Sequence, residues 1–264
     1  MITVDGLSKW FVREGGRDGV SVLHVLDNID LTIKDHEFVC IIGPSGCGKT
    51  TMLKMIDGLV PVEGDAIRVD DVPVHGPGPD RAMVFQNFAL LPWRDAISNV
   101  ELPLEARRVP PAERADRARE ALRLVGLNKF ERHLPHELSG GMQQRVGLAR
   151  ALATQPRHLL MDEPFGALDE QTRRILQDDL IRVWEQLRQT VVFVTHSMDE
   201  AVYLADRVVI MSPRPGRIAE IVPIDLERPR DDLTRRSPRF IQLVEHVWER
   251  LRELNVVDAV EVAG

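Results

Sequence analysis

The stretch from Gly43 to Thr50 has the residue types and spacing of a loop that binds phosphate groups. It reads Gly43-Pro44-Ser45-Gly46-Cys47-Gly48-Lys49-Thr50, the form G-x4-G-K-T, between an apolar strand and a predicted helix. Its glycines allow backbone N–H groups to surround phosphates. The Lys49 ammonium can contact the β- and γ-phosphates, and the Thr50 hydroxyl can bind Mg²⁺. The loop therefore predicts a nucleotide site.

A pair of adjacent carboxylates, Asp162 and Glu163, ends the apolar stretch His158–Met161. The strand predicted there would place Asp162 to hold Mg²⁺ through water. Glu163, on the other side of the pleat, would polarise an attacking water. Acidic pairs at strand ends are commonly only solvated, but Pro164 and then Ala167-Leu168-Asp169 favour a functional interpretation.

Two more polar side chains end predicted strands. His196 follows the buried stretch Val191–Thr195, and Gln86 follows Ala82–Phe85. Parallel strands deliver their carboxyl ends to one crevice, so His196 is expected near the γ-phosphate with Glu163. The Gln86 amide could contact Mg²⁺ or the attacking water. The other histidines are interpreted as structural.

A second predicted anion site lies in Leu138–Arg145. Ser139 can cap a helix, and Gly140 and Gly141 leave backbone N–H groups uncovered where the helix dipole is positive. Such a helix end binds anions readily. An ordinary capped helix is the alternative. Because the chain already has one phosphate loop, this second site is most simply explained as serving a neighbour's nucleotide.

The elements that would position these residues indicate an α/β fold with a P-loop NTPase (RecA-like) core. Strand patterns between Ile2 and Ile33 predict an N-terminal antiparallel β subdomain with a hairpin tip at 13–19. Gln86–Pro156 lacks strand signals and predicts an inserted helical subdomain, about residues 88–156. Buried strands and helices then alternate, which favours a parallel sheet. Ser237-Pro238 predicts the start of a last helix.

Composition limits the function classes. The chain has 264 residues, a net charge of −7 and a pI of about 5.7, which disfavours a basic nucleic-acid-binding surface. Cys40 and Cys47 are expected to be reduced thiols, with a lowered pKa at Cys47 from Lys49 and the helix N-terminus. The sequence shows no signal peptide and no apolar run long enough to span a membrane.

In motif order and spacing, the chain resembles the ATP-binding subunits of ABC transporters over Ile2–Met211. The matching features are the phosphate loop, Gln86, the signature Leu138–Gln144, Asp162-Glu163, Asp169 and His196. The resemblance implies an ATPase that binds ATP and Mg²⁺, with a domain at 1–235 and a C-terminal helix and tail at 236–264. It also implies an aromatic residue stacked on adenine, Phe11 or alternatively Trp10. The nucleotide-contacting residues it adds are Thr51, Gln143 and Asp169.

The same resemblance implies the partners. Two cassettes, identical or different, would form a sandwich in which Ser139, Gly140 and Gly141 complete the partner's ATP site. Leu90–Trp93 would contact an integral membrane permease, and a periplasmic or extracellular solute-binding protein would act indirectly. The chain would lie on the cytoplasmic face of the inner membrane as a peripheral subunit and bind no nucleic acid.

A finer resemblance is to importers for nitrate, sulfonates and taurine. It rests on Leu90–Trp93, Thr195–Ala201 and Ser212–Ile218. The last segment also predicts a type II turn centred on Pro215 and Gly216. The transported solute is therefore expected to be small and anionic.

Other function classes remain as alternatives. A non-transport ABC ATPase acting on nucleic acid or the ribosome would tend to have a long coiled coil or two cassettes in one chain. A P-loop kinase for a small molecule would not need Leu138–Gln144. A purely structural adapter would not need every catalytic position filled.

Overall fold

The computed structural model describes residues 1–15, 19–166 and 168–261. The middle of the predicted hairpin tip (16–18), Ala167 and the last three residues lie outside the described residues. The chain divides into two compact units, one formed by Met1–Pro77 with Val192–Gly264 and the other by Gly78–Val191. Neither unit corresponds to the domain at 1–235 or the helical subdomain at 88–156, and those boundaries stay predictions.

The helices and strands have these bounds. The strands are β1 (Ile2–Gly15), β2 (Gly19–Ile33), β3 (Phe38–Ile42), β4 (Ile67–Val69), β5 (Val72–Pro73), β6 (Arg81–Val84), β7 (His158–Asp162), β8 (Thr190–Val194), β9 (Arg207–Met211) and β10 (Ile218–Pro223). The helices are α1 (Lys49–Asp57), α2 (Ala96–Ala106), α3 (Pro111–Leu124), α4 (Gly140–Leu152), α5 (Glu170–Leu187), α6 (Met198–Leu204), α7 (Asp232–Arg235) and α8 (Pro238–Glu261).

In the first unit, an antiparallel sheet has the strand order β2-β1-β4-β5. β1 pairs with β2 from Ile2↔Ile33 to Gly15↔Gly19, with register shifts between Val4 and Trp10. β2 continues through Asn28, which has a positive φ of 49°, because the register shifts accommodate it. The predicted antiparallel β subdomain is confirmed.

The same unit holds the strands that lead to the phosphate loop. β3 runs parallel to β9, with Val39↔Arg207 to Ile42↔Ile210 in register, and β10 adds antiparallel to β9. Every residue of β3 is buried, which explains its unbroken apolar sequence. α1 follows directly and ends at Gly58, which has a φ of 86°. The predicted parallel pairing is confirmed here.

The C-terminal segment of the first unit is anchored by a buried arginine. Arg230 donates to the carbonyls of Val202, Tyr203 and Ala205, where α6 ends. Burial lowers the pKa of the Arg230 guanidinium to about 10. α8 begins at the predicted Pro238 and buries Phe240, Leu243 and Val247.

The second unit contains the strands β6 and β7 and the helices α2 to α5. β6 and β7 are parallel, from Arg81↔His158 to Val84↔Met161. α2, α3 and α4 contact one another and form the predicted helical region. α5 buries Leu176, Leu180 and Val183, whereas Leu187, its last residue, is exposed. No helix of the described residues is long and apolar enough to cross a bilayer.

Candidate functional site

The phosphate loop lies between β3 and α1, as the sequence predicts. Gly48 caps α1 with a φ of 105°, and a Cβ there would lie 2.6 Å from Leu26 Cδ2, so only glycine fits without strain. The Lys49 Nζ donates to the carbonyls of Gly43 and Pro44 at 2.8 and 2.9 Å. The ammonium is thus bound to the loop itself, and phosphate oxygens can replace those carbonyls. Thr50 and Thr51 follow in the first turn of α1.

His196 belongs to the first unit and lies in the bend after β8. The strand ends at Val194, one residue before the predicted Thr195, and His196 follows it as the sequence predicted. Its side chain is exposed, while the neighbouring Thr195 is buried and bonds to the buried Glu200 carboxylate. Ser197 caps α6 by accepting the Glu200 N–H. Polar contacts of the residues on both sides of His196 therefore fix the chain around it.

Gln86 and Glu163 meet in the second unit. The Gln86 Nε2 donates to the Glu163 Oε2 at 3.4 Å. Asp162, the last residue of β7, is buried. Glu163 has a φ of 44°, a strained conformation for a residue other than glycine, so it does not continue the pleat as predicted. The strand ends at Asp162, and a turn orients Glu163 instead.

The segment after Glu163 is held by α5. Arg173 donates from Nη2 to the Leu168 carbonyl at 2.9 Å and from Nε to the Phe165 carbonyl at 3.4 Å. Asp169 caps α5 by accepting the Thr172 N–H at 3.0 Å. That backbone bond holds the pKa of the Asp169 carboxyl below its usual value. Asp169, which was predicted to contact nucleotide, thus also has a structural role as the cap of α5.

The signature residues form the N-terminus of α4. Ser139 accepts the Met142 N–H at 3.3 Å, which confirms it as the cap. Ser139 and Gly140 are exposed, so the first turn of α4 faces solvent. A Cβ on Gly141 would lie 2.7 Å from the Thr172 Cγ2, because α5 passes close by. The Gln143 Nε2 donates to the carbonyls of Pro135 and Leu138 at 2.9 and 3.1 Å, and so holds the loop before α4.

The two candidate aromatic residues for adenine stacking lie next to each other on β1. The Trp10 ring stacks on His24 with centroids 4.6 Å apart and planes 13° from parallel. Phe11 has the Lys9 Nζ 5.8 Å from its ring centroid. Both rings are partly exposed, at 42% and 38%. Each ring thus has one neighbouring side chain and a similar exposure, and both residues remain candidates for the stacking role.

An open groove of about 420 Å³ adjoins Gln86 in the second unit. Its lining residues are Gln86–Leu90, Pro92, Pro135, His136 and Gln143. Trp93, next to this groove in sequence, is 74% exposed. Asn99, buried in α2, donates to the carbonyls of Leu91 and Arg94 at 3.2 and 2.8 Å. The exposed tryptophan is thus carried on a loop held by hydrogen bonds from a buried side chain.

The predicted magnesium ligands have suitable chemistry. Thr50, Gln86 and Asp162 offer hydroxyl, amide and carboxylate oxygens, the donors that Mg²⁺ prefers. Among the described residues, there is no cluster of three or more His, Cys, Asp or Glu side chains that could hold a metal. A single carboxylate suits Mg²⁺ that is bound mainly by phosphates and water.

Comparisons with known proteins decide the family. Residues 26–166 match the sequence profile described as ABC transporter. An uncharacterized ABC transporter ATP-binding protein of Methanocaldococcus jannaschii is 49% identical over 253 residues, covering 96% of this chain and 91% of that protein. The chain belongs to the ABC transporter family. It is an ABC ATPase with the cassette fold.

One further sequence relative and one solved structure are also similar to this chain. The taurine import ATP-binding protein TauB of Rhizobium johnstonii is 45% identical, covering 94% of this chain and 95% of that protein. A solved dimeric structure of the ATP-binding cassette MJ0796, in a post-hydrolysis state bound to ADP and Pi, has a TM-score of 0.73 and 34% identity. That comparison covers 85% of this chain and 99% of the other. The predicted family and fold class are confirmed.

Two predictions made from the sequence of this ABC cassette were wrong: the type II turn at Gly216 and the lowered thiol pKa of Cys47. Gly216 lacks the positive φ that a type II turn needs at its third residue. Its backbone instead lies against the phosphate loop, where a Cβ would be 2.0 Å from the Cys47 carbonyl oxygen. The pKa of the Cys47 thiol is raised, because burial outweighs the nearby Lys49 charge.

Sequence analysis also missed supporting residues of the ABC cassette. Asn99 holds the loop that follows Gln86, and Arg173 holds the loop that follows Glu163, yet neither belongs to a motif. Arg150 donates to the Ala89 and Phe88 carbonyls at 2.7 and 2.8 Å. An asparagine between the apolar residues of α2 was one available signal; the arginines gave none, because arginine is common on exposed helix faces.

Proposed function

We propose that this ABC ATPase is the ATP-hydrolysing subunit of an importer, working as a cassette dimer bound to a membrane permease. The observation that carries the proposal is the presence of two anion-binding elements in one chain. One is the phosphate loop with Lys49, and the other is the exposed N-terminus of α4 capped by Ser139. A chain that bound ATP alone would need only the first.

In this proposal each ATP lies between two copies of the cassette. The phosphate loop of one copy, Gly43–Thr50 with Thr51, binds the phosphates, and one of the two aromatic residues of β1 stacks on the adenine. Ser139, Gly140 and Gly141 of the other copy donate to the γ-phosphate, with Gln143 holding their loop. The relative solved as a dimer with ADP and Pi supports this arrangement.

The hydrolytic residues would act as follows. Glu163 accepts a proton from the attacking water, and its hydrogen bond from Gln86 orients the carboxylate. His196 donates to the γ-phosphate and orders the water. Lys49 offsets charge on the transferring phosphoryl group. Mg²⁺, held by Thr50, Asp162 and Gln86, would supply further charge neutralisation when bound. Asp169 would fix the segment after Glu163 through its cap on α5.

The permease contact would be the groove beside Gln86 together with Leu90–Trp93. An exposed tryptophan next to a proline suits a protein interface, where tryptophans commonly carry much of the binding energy. Because Leu90–Trp93 lies close to Gln86 in sequence, a permease bound there would transmit its movement to the hydrolytic residues. The similarity to taurine import proteins supports a small anionic solute of the nitrate, sulfonate or taurine type. The subunit would then act at the cytoplasmic face of the inner membrane.

Reconstitution tests this proposal. The chain, its permease and its solute-binding protein would be combined in liposomes, and ATP-dependent uptake of labelled taurine, alkanesulfonate and nitrate measured. We expect uptake of one of them, and Trp93→Ala should weaken co-purification with the permease. Trp248→Ala, which removes an exposed tryptophan of α8, is the matched control. ATPase stimulation by nucleic acid or ribosomes, with none by the permease, would refute the importer function.

A further inference from the structure

The segment Ser212–Arg217, which joins β9 to β10, contacts the phosphate loop. Arg214 donates from both Nε and Nη2 to the Gly46 carbonyl oxygen, at 3.1 and 3.0 Å. The side chain is exposed, so its guanidinium is ordered by this bond rather than by burial. An arginine outside the loop sequence therefore places a second positive charge beside it, in addition to Lys49.

Gly216 contacts the next peptide of the same loop. A Cβ at this position would lie 2.0 Å from the Cys47 carbonyl oxygen, a distance that forces the backbone apart. Gly216 is also fixed to β2, because its N–H donates to the Val25 carbonyl and its carbonyl accepts the Asp27 N–H, at 2.9 and 3.0 Å. The contact with the loop is thus made by a backbone that is itself held in place.

These contacts act on two successive peptide planes. A trans peptide directs its carbonyl and its N–H to opposite sides. The bond from Arg214 to the Gly46 carbonyl therefore orients the Cys47 N–H. The Gly216 backbone, packed against the Cys47 carbonyl, limits rotation of the peptide that carries the Gly48 N–H. Phosphate loops bind their ligand through inward backbone N–H groups. The Cys47 N–H lies 3.4 Å from the Pro44 carbonyl, a long hydrogen bond that a phosphate oxygen can replace.

We infer that Arg214 and Gly216 are positioning residues for nucleotide binding, which brace the Gly46–Gly48 peptides from outside the phosphate loop. The ligand class is a nucleoside di- or triphosphate, because the braced N–H groups serve phosphates and not the base. The inference rests on the proposed role of the phosphate loop. It assigns a physical role to a segment from which the sequence analysis inferred only a turn and a resemblance to importers.

The test measures binding without turnover. Fluorescent ATP and ADP analogues would be titrated into wild type, Arg214→Ala, Arg214→Gln and Arg214→Lys, and thermal unfolding followed with and without nucleotide. Arg214→Ala should weaken both nucleotides about tenfold, the order expected for losing a hydrogen bond to a charged donor. Arg214→Lys should recover more affinity than Arg214→Gln, because it keeps the charge. The unfolding midpoint without nucleotide should not change.

Matched variants separate the possible outcomes. Arg68→Ala removes an exposed arginine of the same unit, paired with Asp65, and should bind like wild type. Gly216→Ala should weaken binding more than Arg214→Ala does. Gly76→Ala is its control, since a Cβ there meets no atom within 4 Å. If Gly216→Ala fails to fold, the Arg214 variants alone test the inference.

Lys49→Ala distinguishes failure of the brace from failure of the loop assignment. If Lys49→Ala loses nucleotide affinity and Arg214→Ala keeps it, the brace is wrong and the loop assignment stands. If Lys49→Ala also binds normally, the phosphate loop itself is not the site and both fail. The unfolding midpoint of Arg214→Ala could also fall by the same amount with and without nucleotide. That result would mean that Arg214 contributes only to general stability, and it would overturn the inference.

Discussion

The Gln86 amide donates to the Glu163 carboxylate across 3.4 Å because their strands are in register. Val84 of β6 pairs with Met161 of β7, and each polar residue lies two positions further along its own chain. Parallel neighbours therefore deliver an amide and a carboxylate to the same place. At 3.4 Å the bond is longer than a typical N–H···O hydrogen bond, so it orients the carboxylate without holding it strongly.

Replacing Glu163 with glutamine keeps the side-chain shape and an oxygen that can accept from Gln86, but removes the basic carboxylate. We expect ATP hydrolysis to fall by about 10²–10⁴-fold, the usual contribution of a general base. Binding of ATP should persist, measured by titration of a fluorescent analogue. Glu249→Gln, at an exposed position of α8, is the control. Phosphate release within threefold of wild type would remove Glu163 from the role of base.

Placing arginine at Ser139 should prevent dimer formation while leaving nucleotide binding to the single chain intact. The side chain would block the exposed first turn of α4 and remove its cap. The measurement is light scattering with ATP, in the Glu163→Gln background so that ATP is not consumed. Ala112→Arg adds the same charge at an exposed position of α3 in the same unit. An ATP-dependent dimer of the Ser139→Arg protein would contradict the shared-site proposal.

The sequence predicted the elements whose signals are local. β3 is apolar throughout because both faces are buried, and the loop that follows requires glycine at Gly48 for a φ of 105°. Ser139 was predicted as a cap because its hydroxyl bonds a backbone N–H three residues away. In each case the physical cause lies within a few residues of the motif.

Features that depend on distant contacts were not predictable in the same way. Position 216 requires glycine because the phosphate loop, far away in sequence, lies 2.0 Å from where a Cβ would be. The sequence rule for type II turns considers only neighbouring residues, and it therefore predicted the wrong geometry. Glu163 departs from strand alternation at a φ of 44°. The buried Asn99 serves a loop whose path the sequence does not show.

Asp95 offers a test of helix capping and of pH dependence in the second unit. Its carboxylate caps α2 by accepting the Ser98 N–H at 2.9 Å, and Arg132 lies 3.3 Å away. Partial burial raises the pKa of Asp95, but the hydrogen bonds from Ser98 and Arg132 outweigh it, so the pKa is lowered from 3.8. Asp95→Ala should destabilise the protein by about 1 kcal/mol, and Asp95→Asn by less, since asparagine also caps helices.

The pH dependence follows from the sign of that shift. A depressed pKa means that the ionised Asp95 adds stability above the unfolded value near 3.8 and loses it as pH falls through the lower folded value. The difference between wild type and Asp95→Asn in urea unfolding should therefore be present at pH 7 and shrink below pH 4. A difference that stays constant down to pH 2.5 would show that the carboxylate charge does not contribute.

Cys47 should react slowly with alkylating reagents, contrary to the expectation from its sequence neighbours. Its side chain is wholly buried, and burial raises the thiol pKa despite Lys49, whose Nζ lies 3.9 Å from the sulfur. In a Cys40→Ala background, iodoacetamide should label folded Cys47 more slowly than the unfolded chain at pH 7.5. The pH midpoint of labelling should lie higher in the folded protein, and MgATP should slow labelling further. A folded midpoint below that of the unfolded chain would mean that the Lys49 charge outweighs burial.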